Sequence, residues 1–225
     1  MSVKENLQQI QANIIEACRR SNRDSNEIKI IAVTKYVSVE TAQNAINAGI
    51  KHIGENRDSG FLEKREIIGS AAVWHFIGTL QTRKVKNIID KVDFIHSLDR
   101  LSLAEEINKR TNKIIQCFVQ VNAANEKSKQ GLAIDEVVSF VKSLQDFPTI
   151  KVVGLMTMAP FTDDEEMLRD TFKKIKRLQK DVQALQLPYA PCEELSMGMS
   201  NDYEIAIEEG ATMIRIGTSL VGKEF

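Results

Sequence analysis

Little in the composition assigns this chain to a class at first sight. It has only three cysteines, Cys18, Cys117 and Cys192, with no CxxC pair and no Cys/His cluster at metal spacing. That excludes a disulfide scaffold and a zinc ribbon, and the thiols read as reduced and mostly buried. Proline (4) and glycine (11) are sparse, so no linker of either type divides the 225 residues, which suffice for one large domain, residues 1–225. Neither charge dominates: 30 Lys plus Arg oppose 31 Asp plus Glu for a net charge of -1. The broad positive field needed for nucleic acid or an anionic membrane is therefore missing. Long apolar runs are also absent, and the opening MSVKENLQQIQANIIEACRR is polar throughout, unlike a signal peptide or membrane span. A cytoplasmic protein is expected.

What the sequence does contain is one alternation repeated along the chain. Val3, Leu7, Ile10, Ile14, Ala17 and Cys18 form one helical stripe over Val3 to Arg20, broken by Ser21 to Asn26. Short apolar strands then precede helical segments. Ile28 to Thr34 leads to Val39 to Ala48, Ile53-Gly-Glu to Arg57 to Ile68, and Val73 to Ile77 to Gln81 to Ile89. Phe94 to Ser97 leads to Leu101 to Arg110, Ile114 to Val121 to Ile134 to Leu144, and Val152 to Met156 to Asp163 to Leu185. Glu194 to Ser196 and Met213 to Ile216 supply the last strands, around a helix Asp202 to Glu208 that Gly210 ends. Eight such units predict a single (β/α)₈ TIM barrel with an extra N-terminal helix. The rival, an open doubly wound sheet, lacks its Gly-rich loop, since Val33 is followed by Thr34-Lys-Tyr-Val-Ser.

A barrel presents its chemistry where strands end, at Lys35, Glu55, Asn56, His75, Gly78, Ser97, Asn122, Met156, Thr157, Ser196 to Asn201 and Arg215 to Ser219. Lys35 leaves IIAVT directly, so its amine would stand over the barrel mouth beside apolar walls that favour an uncharged nucleophile, as imine formation requires. Arg215, a charge inside a strand, needs an acceptor: either a neighbouring carboxylate or a ligand. The small-residue segments Ser196-Met-Gly-Met-Ser200 and Arg215-Ile-Gly-Thr-Ser219 follow strands seven and eight, where such barrels frequently hold phosphate. His75, flanked by aromatics, reads either as a satisfied interior histidine or as a ligand neighbour, and His52, His75 and His96 lack metal spacing. Arg83, Lys84 and Lys129 read as a solvated face.

These residues sit in longer motifs: AVTK at 32–35, GEN at 54–56, WHFIGTLQTRK at 74–84, VNAANEKSKQG at 121–131, GLMTM at 154–158, SMGMSNDYEIAI at 196–207 and MIRIGTSLVG at 213–222. In that order, over nearly the whole chain, they resemble the pyridoxal phosphate homeostasis proteins (the YggS or proline-synthetase-co-transcribed family), which look like the barrel half of alanine racemase. The resemblance implies that Lys35 forms an imine with pyridoxal 5'-phosphate (PLP). It also implies that Ser200, Gly217 and Thr218 surround the phosphate with backbone from Gly198 and Met199, and that Arg215 faces the pyridine nitrogen. Asn56 would lie near the ring, with His75 a further neighbour. Many members carry proline three residues after the lysine; here Ser38 stands there, which leaves the loop shape open.

The expected role is a PLP carrier in intracellular homeostasis, a monomer without strong catalysis, passing cofactor to apo PLP-dependent enzymes. Racemases of this barrel add a β-rich domain whose tyrosine opposes the lysine across the subunit interface. With the sequence ending at Phe225 no such group is expected, and Tyr36, Tyr189 and Tyr203 do not replace it. The alternatives are a slow PLP-dependent racemase, which would share these residues, and a sugar-phosphate aldolase using the same lysine.

Overall fold

The apolar runs become strands because each carries inward and outward residues in alternation, both faces being buried in a barrel wrapped by helices. The computed structural model describes residues 2–124 and 130–225, so the 125–129 part of the VNAANEKSKQG motif, with Lys129, lies outside the described residues. The strands are β1 (Lys29–Val33), β2 (His52–Glu55), β3 (Val73–Phe76), β4 (Phe94–Leu98), β5 (Ile115–Gln120), β6 (Ile150–Met156), β7 (Glu194–Met199) and β8 (Met213–Ile216). They pair in parallel in chain order, and β8 returns to β1, so the sheet is a closed barrel rather than an open one.

Around it lie α2 (Val39–Asn47), α3 (Asp58–Ile68), α4 (Val85–Ile88), α5 (Leu101–Arg110), α6 (Val137–Ser143), α7 (Glu165–Gln183), α8 (Tyr203–Glu208) and α9 (Thr218–Val221), preceded by α1 (Val3–Arg20). Helix α1 starts on a capping box, Ser2 Oγ accepting from the Glu5 amide while Glu5 Oε2 accepts from the Ser2 amide. Its stripe of Leu7, Ile10, Ile14, Ala17 and Cys18 is buried against α8 and α9, each large aliphatic contributing roughly 1.5–3 kcal/mol.

Several elements differ from the sequence pattern, among them β7, which runs on to Met199, and α9, which the pattern does not mark. Strand β6 begins at Ile150 because Ile150 and Lys151 already pair with Ile115 and Gln116, although the exposed Lys151 hides this from hydropathy. The stretch Gln81 to Ile89 forms a tight turn at Thr82–Lys84 before the four-residue α4, with the Lys84 amide donating to the Gln81 carbonyl. Of the surface charges there, Lys84 is tied to Asp58 at 2.5 Å and Arg83 to Gln81 at 2.9 Å.

Two apolar volumes result. The large one lies between strands and helices, with Trp74, Phe61 and Phe172 fully buried. The small one, Ile31, Phe118, Val153, Met156 and Met213, fills the barrel interior. Above this plug the interior opens upward.

Candidate functional site

The alternation along β1 decides where Lys35 points. Ile31 belongs to the interior plug and Val33 lines the opening above it, so Lys35, two residues on, follows the same face. Thr34, of opposite parity, faces the helices. There its Oγ1–H donates to Glu55 Oε1 at 2.6 Å, and its carbonyl accepts from Lys64 Nζ at 3.0 Å. Lys64 also binds Glu55 at 2.8 Å, and both side chains are buried. The backbone carrying Lys35 is thus clamped from behind. Lys35 itself is half-buried, its Nζ 4.9 Å from the centroid of the exposed Tyr36 ring. Ser38 caps α2 by accepting from the Thr41 amide at 3.2 Å, so the serine forms an ordered helix entry.

Lys35 opens into a cavity of about 620 Å³, within the range of small-molecule sites. Of the residues picked out by the sequence, Lys35, Asn56, Met199, Ser200, Arg215, Gly217 and Thr218 all line it. Asn56 is set by Gly78: a Cβ there would come within 2.3 Å of the Asn56 carbonyl oxygen. Ser219 and Ser200 hydroxyls meet at 2.9 Å on the side formed by β7 and β8. Arg215 is the floor, 4% exposed, its Nη1 donating to Ser196 Oγ at 2.7 Å and its Nη2 to the Thr157 carbonyl at 2.8 Å. Burial lowers the Arg215 pKa to about 10, while the Asp202 charge opposes that shift.

Other candidates fall elsewhere. His75 does not border the cavity; it lies fully buried in the barrel interior, between His52 and His96, because β3 places it one layer beneath the opening. Gly198 is also set back. At φ +94° it turns β7 toward α8, and a Cβ would meet Ala206 Cβ at 2.7 Å, so its backbone serves that close packing. Glu55 belongs to the clamp behind β1, Met156 to the plug, and Ser97 is buried with a hydroxyl lacking a partner among the described residues.

Gln120, Tyr36, Met158 and Phe161, which the strand-end pattern does not mark as site residues, also line the cavity. Gln120 is readable in principle as the last polar residue of β5. Phe161, 94% exposed, and Met158 extend an apolar rim that no periodicity marks. No group of three or more His, Cys, Asp or Glu side chains among the described residues is arranged to hold a metal ion.

Charge and shape define what fits. Of the described lining residues, Lys35 and Arg215 are cationic and Asp202 is anionic, and one oxygen of Asp202 is already engaged by the Met199 amide at 2.5 Å. An amine, a buried donor-only guanidinium and a pair of hydroxyls beside Gly217 and Thr218 suit an anionic ligand with an electrophilic carbon and an acceptor atom. PLP has these groups: phosphate, aldehyde and pyridine nitrogen.

Known proteins share this architecture. Residues 6–224 match the family described as alanine racemase, N-terminal domain. A pyridoxal phosphate homeostasis protein of Aquifex aeolicus (strain VF5) is 41% identical over 230 residues, covering 99% of each chain. The structure of PipY from Synechococcus elongatus PCC7942 with PLP bound aligns at TM-score 0.83 and 28% identity, over 98% of this chain and 100% of that one. An alanine racemase of Clostridium difficile 630 shares the fold at TM-score 0.79 and 17% identity, over 97% of this chain and 56% of that one. No helix among the described residues is long and apolar enough to cross a membrane.

Proposed function

The chain belongs to the alanine racemase N-terminal domain family and, within it, to the pyridoxal phosphate homeostasis proteins, and from that premise we propose that it holds PLP through Lys35 as a cofactor reserve. Bound PLP supplies an aldehyde carbon open to capture by an amine and a pyridine ring able to withdraw electrons. Lys35 provides the amine and joins that carbon as a Schiff base, with loss of water. Ser200, Gly217 and Thr218, with the Met199 backbone, hold the phosphate, and Asn56 borders the ring. Arg215 donates to the ring nitrogen.

The observation that carries the PLP-holding reading is the convergence on one cavity of Lys35, the β7 and β8 residues Ser200, Gly217 and Thr218, and an Arg215 anchored on Ser196 Oγ and the Thr157 carbonyl. A guanidinium donates only, so it takes no proton from a pyridinium and repels one. It therefore holds the ring nitrogen unprotonated, in the state that withdraws electrons weakly. Such a site retains the aldehyde and discourages carbanion chemistry. An incoming amine can displace Lys35 without hydrolysis, which gives the route by which cofactor passes to apo PLP-dependent enzymes from a cytoplasmic monomer.

The test is the visible spectrum of purified protein loaded with PLP, before and after borohydride, beside Lys35→Ala. Wild type should show a Schiff-base band that borohydride bleaches irreversibly, and Lys35→Ala should lose it. A variant retaining the band unchanged overturns the assignment. Interconversion of D- and L-alanine at ~1–1000 per second would make the protein a racemase instead.

A further inference from the structure

Three histidines with no common spacing in the sequence become a continuous column in the barrel. His52 Nδ1 lies 2.9 Å from His75 Nε2, and His75 Nδ1 lies 2.8 Å from His96 Nε2. His96 Nδ1 lies 3.0 Å from Ser196 Oγ, which accepts from Arg215 Nη1 at 2.7 Å. The stagger of the strands builds the staircase. His52 pairs with Val73, so His75 stands two residues higher on β3; His75 pairs with Phe94, so His96 stands two higher on β4. Both steps have the same geometry, ring centroids 5.1 Å apart and planes at 58°. Phe94 stacks on His75 at 4.5 Å and Phe118 on His96 at 4.3 Å, fixing the ring planes.

Counting protons gives the column a direction. Arg215 only donates, so Ser196 Oγ accepts from it and turns its own proton to its other hydrogen-bond neighbour among the described residues, His96 Nδ1. Burial and the Arg215 charge keep His96 neutral, so its proton sits on Nε2 and goes to His75 Nδ1. His75, neutral through burial, donates likewise from Nε2 to His52 Nδ1. The opposite direction would leave the buried Ser196 hydroxyl proton without an acceptor among the described residues.

We propose that Ser196, His96, His75 and His52 form a hydrogen-bond column of single direction that positions the Arg215 guanidinium against the ring nitrogen of the bound cofactor, an inference that rests on the PLP reading above. Arg215 alone touches the ring. The four residues beneath it are positioning residues: the neutral rings of His96 and His75 each accept on one side and donate on the other, and His52 Nδ1 accepts at the lower end. Arg215 Nη1 thereby has a stationary acceptor, and the guanidinium cannot tip away from the cavity without breaking the series.

Two measurements test this. In apo-protein labelled with ¹⁵N-histidine at neutral pH, His52, His75 and His96 should all appear as the neutral Nε2–H tautomer. In PLP-loaded protein, Ser196→Ala should shift the Schiff-base absorption maximum and weaken PLP retention roughly ten-fold, the value of one hydrogen bond to a charged group. Ser196→Thr keeps the hydroxyl and should restore both. An Nδ1–H tautomer at His75 or His96 overturns the direction, and a Ser196→Ala protein with wild-type spectrum and retention overturns the positioning role. Wild-type protein without a Schiff-base band sinks the PLP reading and the positioning with it; the apo-protein tautomers separate that failure from a failure of the column itself.

Discussion

Behind β1, Lys64 and Glu55 form a buried ion pair 2.8 Å apart, whereas on the cavity floor the Arg215 guanidinium rests on the neutral oxygens of Ser196 and Thr157 and, through Ser196, on three histidines. Both arrangements are buried and hydrogen-bonded, yet they distribute charge in opposite ways. The first cancels a cation with a carboxylate and uses a second donor of Lys64 to grip the Thr34 carbonyl. What it holds is a stretch of backbone, the one that carries Lys35. The second leaves the guanidinium's charge directed to the cavity, with Asp202 the carboxylate that attracts it there. Charge is neutralised where only position is needed and kept where a ligand has to feel it.

The largest expected effect comes from breaking the ion pair. Lys64→Met leaves Glu55 buried with its main countercharge gone and should cost about 3–5 kcal/mol, read from urea unfolding. The double variant Lys64→Met with Glu55→Met should recover much of that loss. A double variant no more stable than the single one would break the distinction drawn above, because the pair would then not behave as a mutually cancelling unit.

The histidine column predicts a pH dependence of stability. Burial holds the pKa of His75 and His96 well below 6.5, so both are neutral when folded and take up protons only on unfolding. Below about pH 6.5 the unfolded state binds more protons, and stability must fall as pH drops, approaching roughly 2.7 kcal/mol per pH unit for the two together. Unfolding midpoints measured between about pH 7 and about pH 5 should show this slope, and His75→Gln should remove about half of it. A slope unchanged in that variant would mean the column is not the source.

The smallest effect sharpens the comparison within the ion pair. Thr34→Val removes one donor to Glu55 while leaving Lys64 in place, and should cost about 1.5 kcal/mol. A loss as large as that of Lys64→Met would show that the hydroxyl, not the charge, holds the clamp.

Much of the barrel was readable because each unit is local. The 3.6- and 2-residue periods of α1, β1 and α7 depend on neighbours a few positions away, and burial imposes them directly. Arg215 stands out as a charge set in an apolar strand and Lys35 as one just beyond the end of such a strand. His75 was not placed by the sequence, since an interior position and a cavity position on one strand differ by a single two-residue step. For Gly198 the family resemblance implies backbone near a phosphate, and the sequence cannot separate that from a glycine admitting a close helix, because the two look the same. Phe161 and Met158 escaped notice because a rim residue obeys no period.

The sequence by itself determined the order of strands and helices, the amine at the end of β1 and the small residues around the ends of β7 and β8, because propensity and hydropathy act over short distances. Only the tertiary structure decided that His52, His75 and His96 meet. Their separations of 23 and 21 residues carry no pattern; the stagger of a closed parallel barrel aligns them, and closure brings Ser196 and Arg215 to the upper end of the same line.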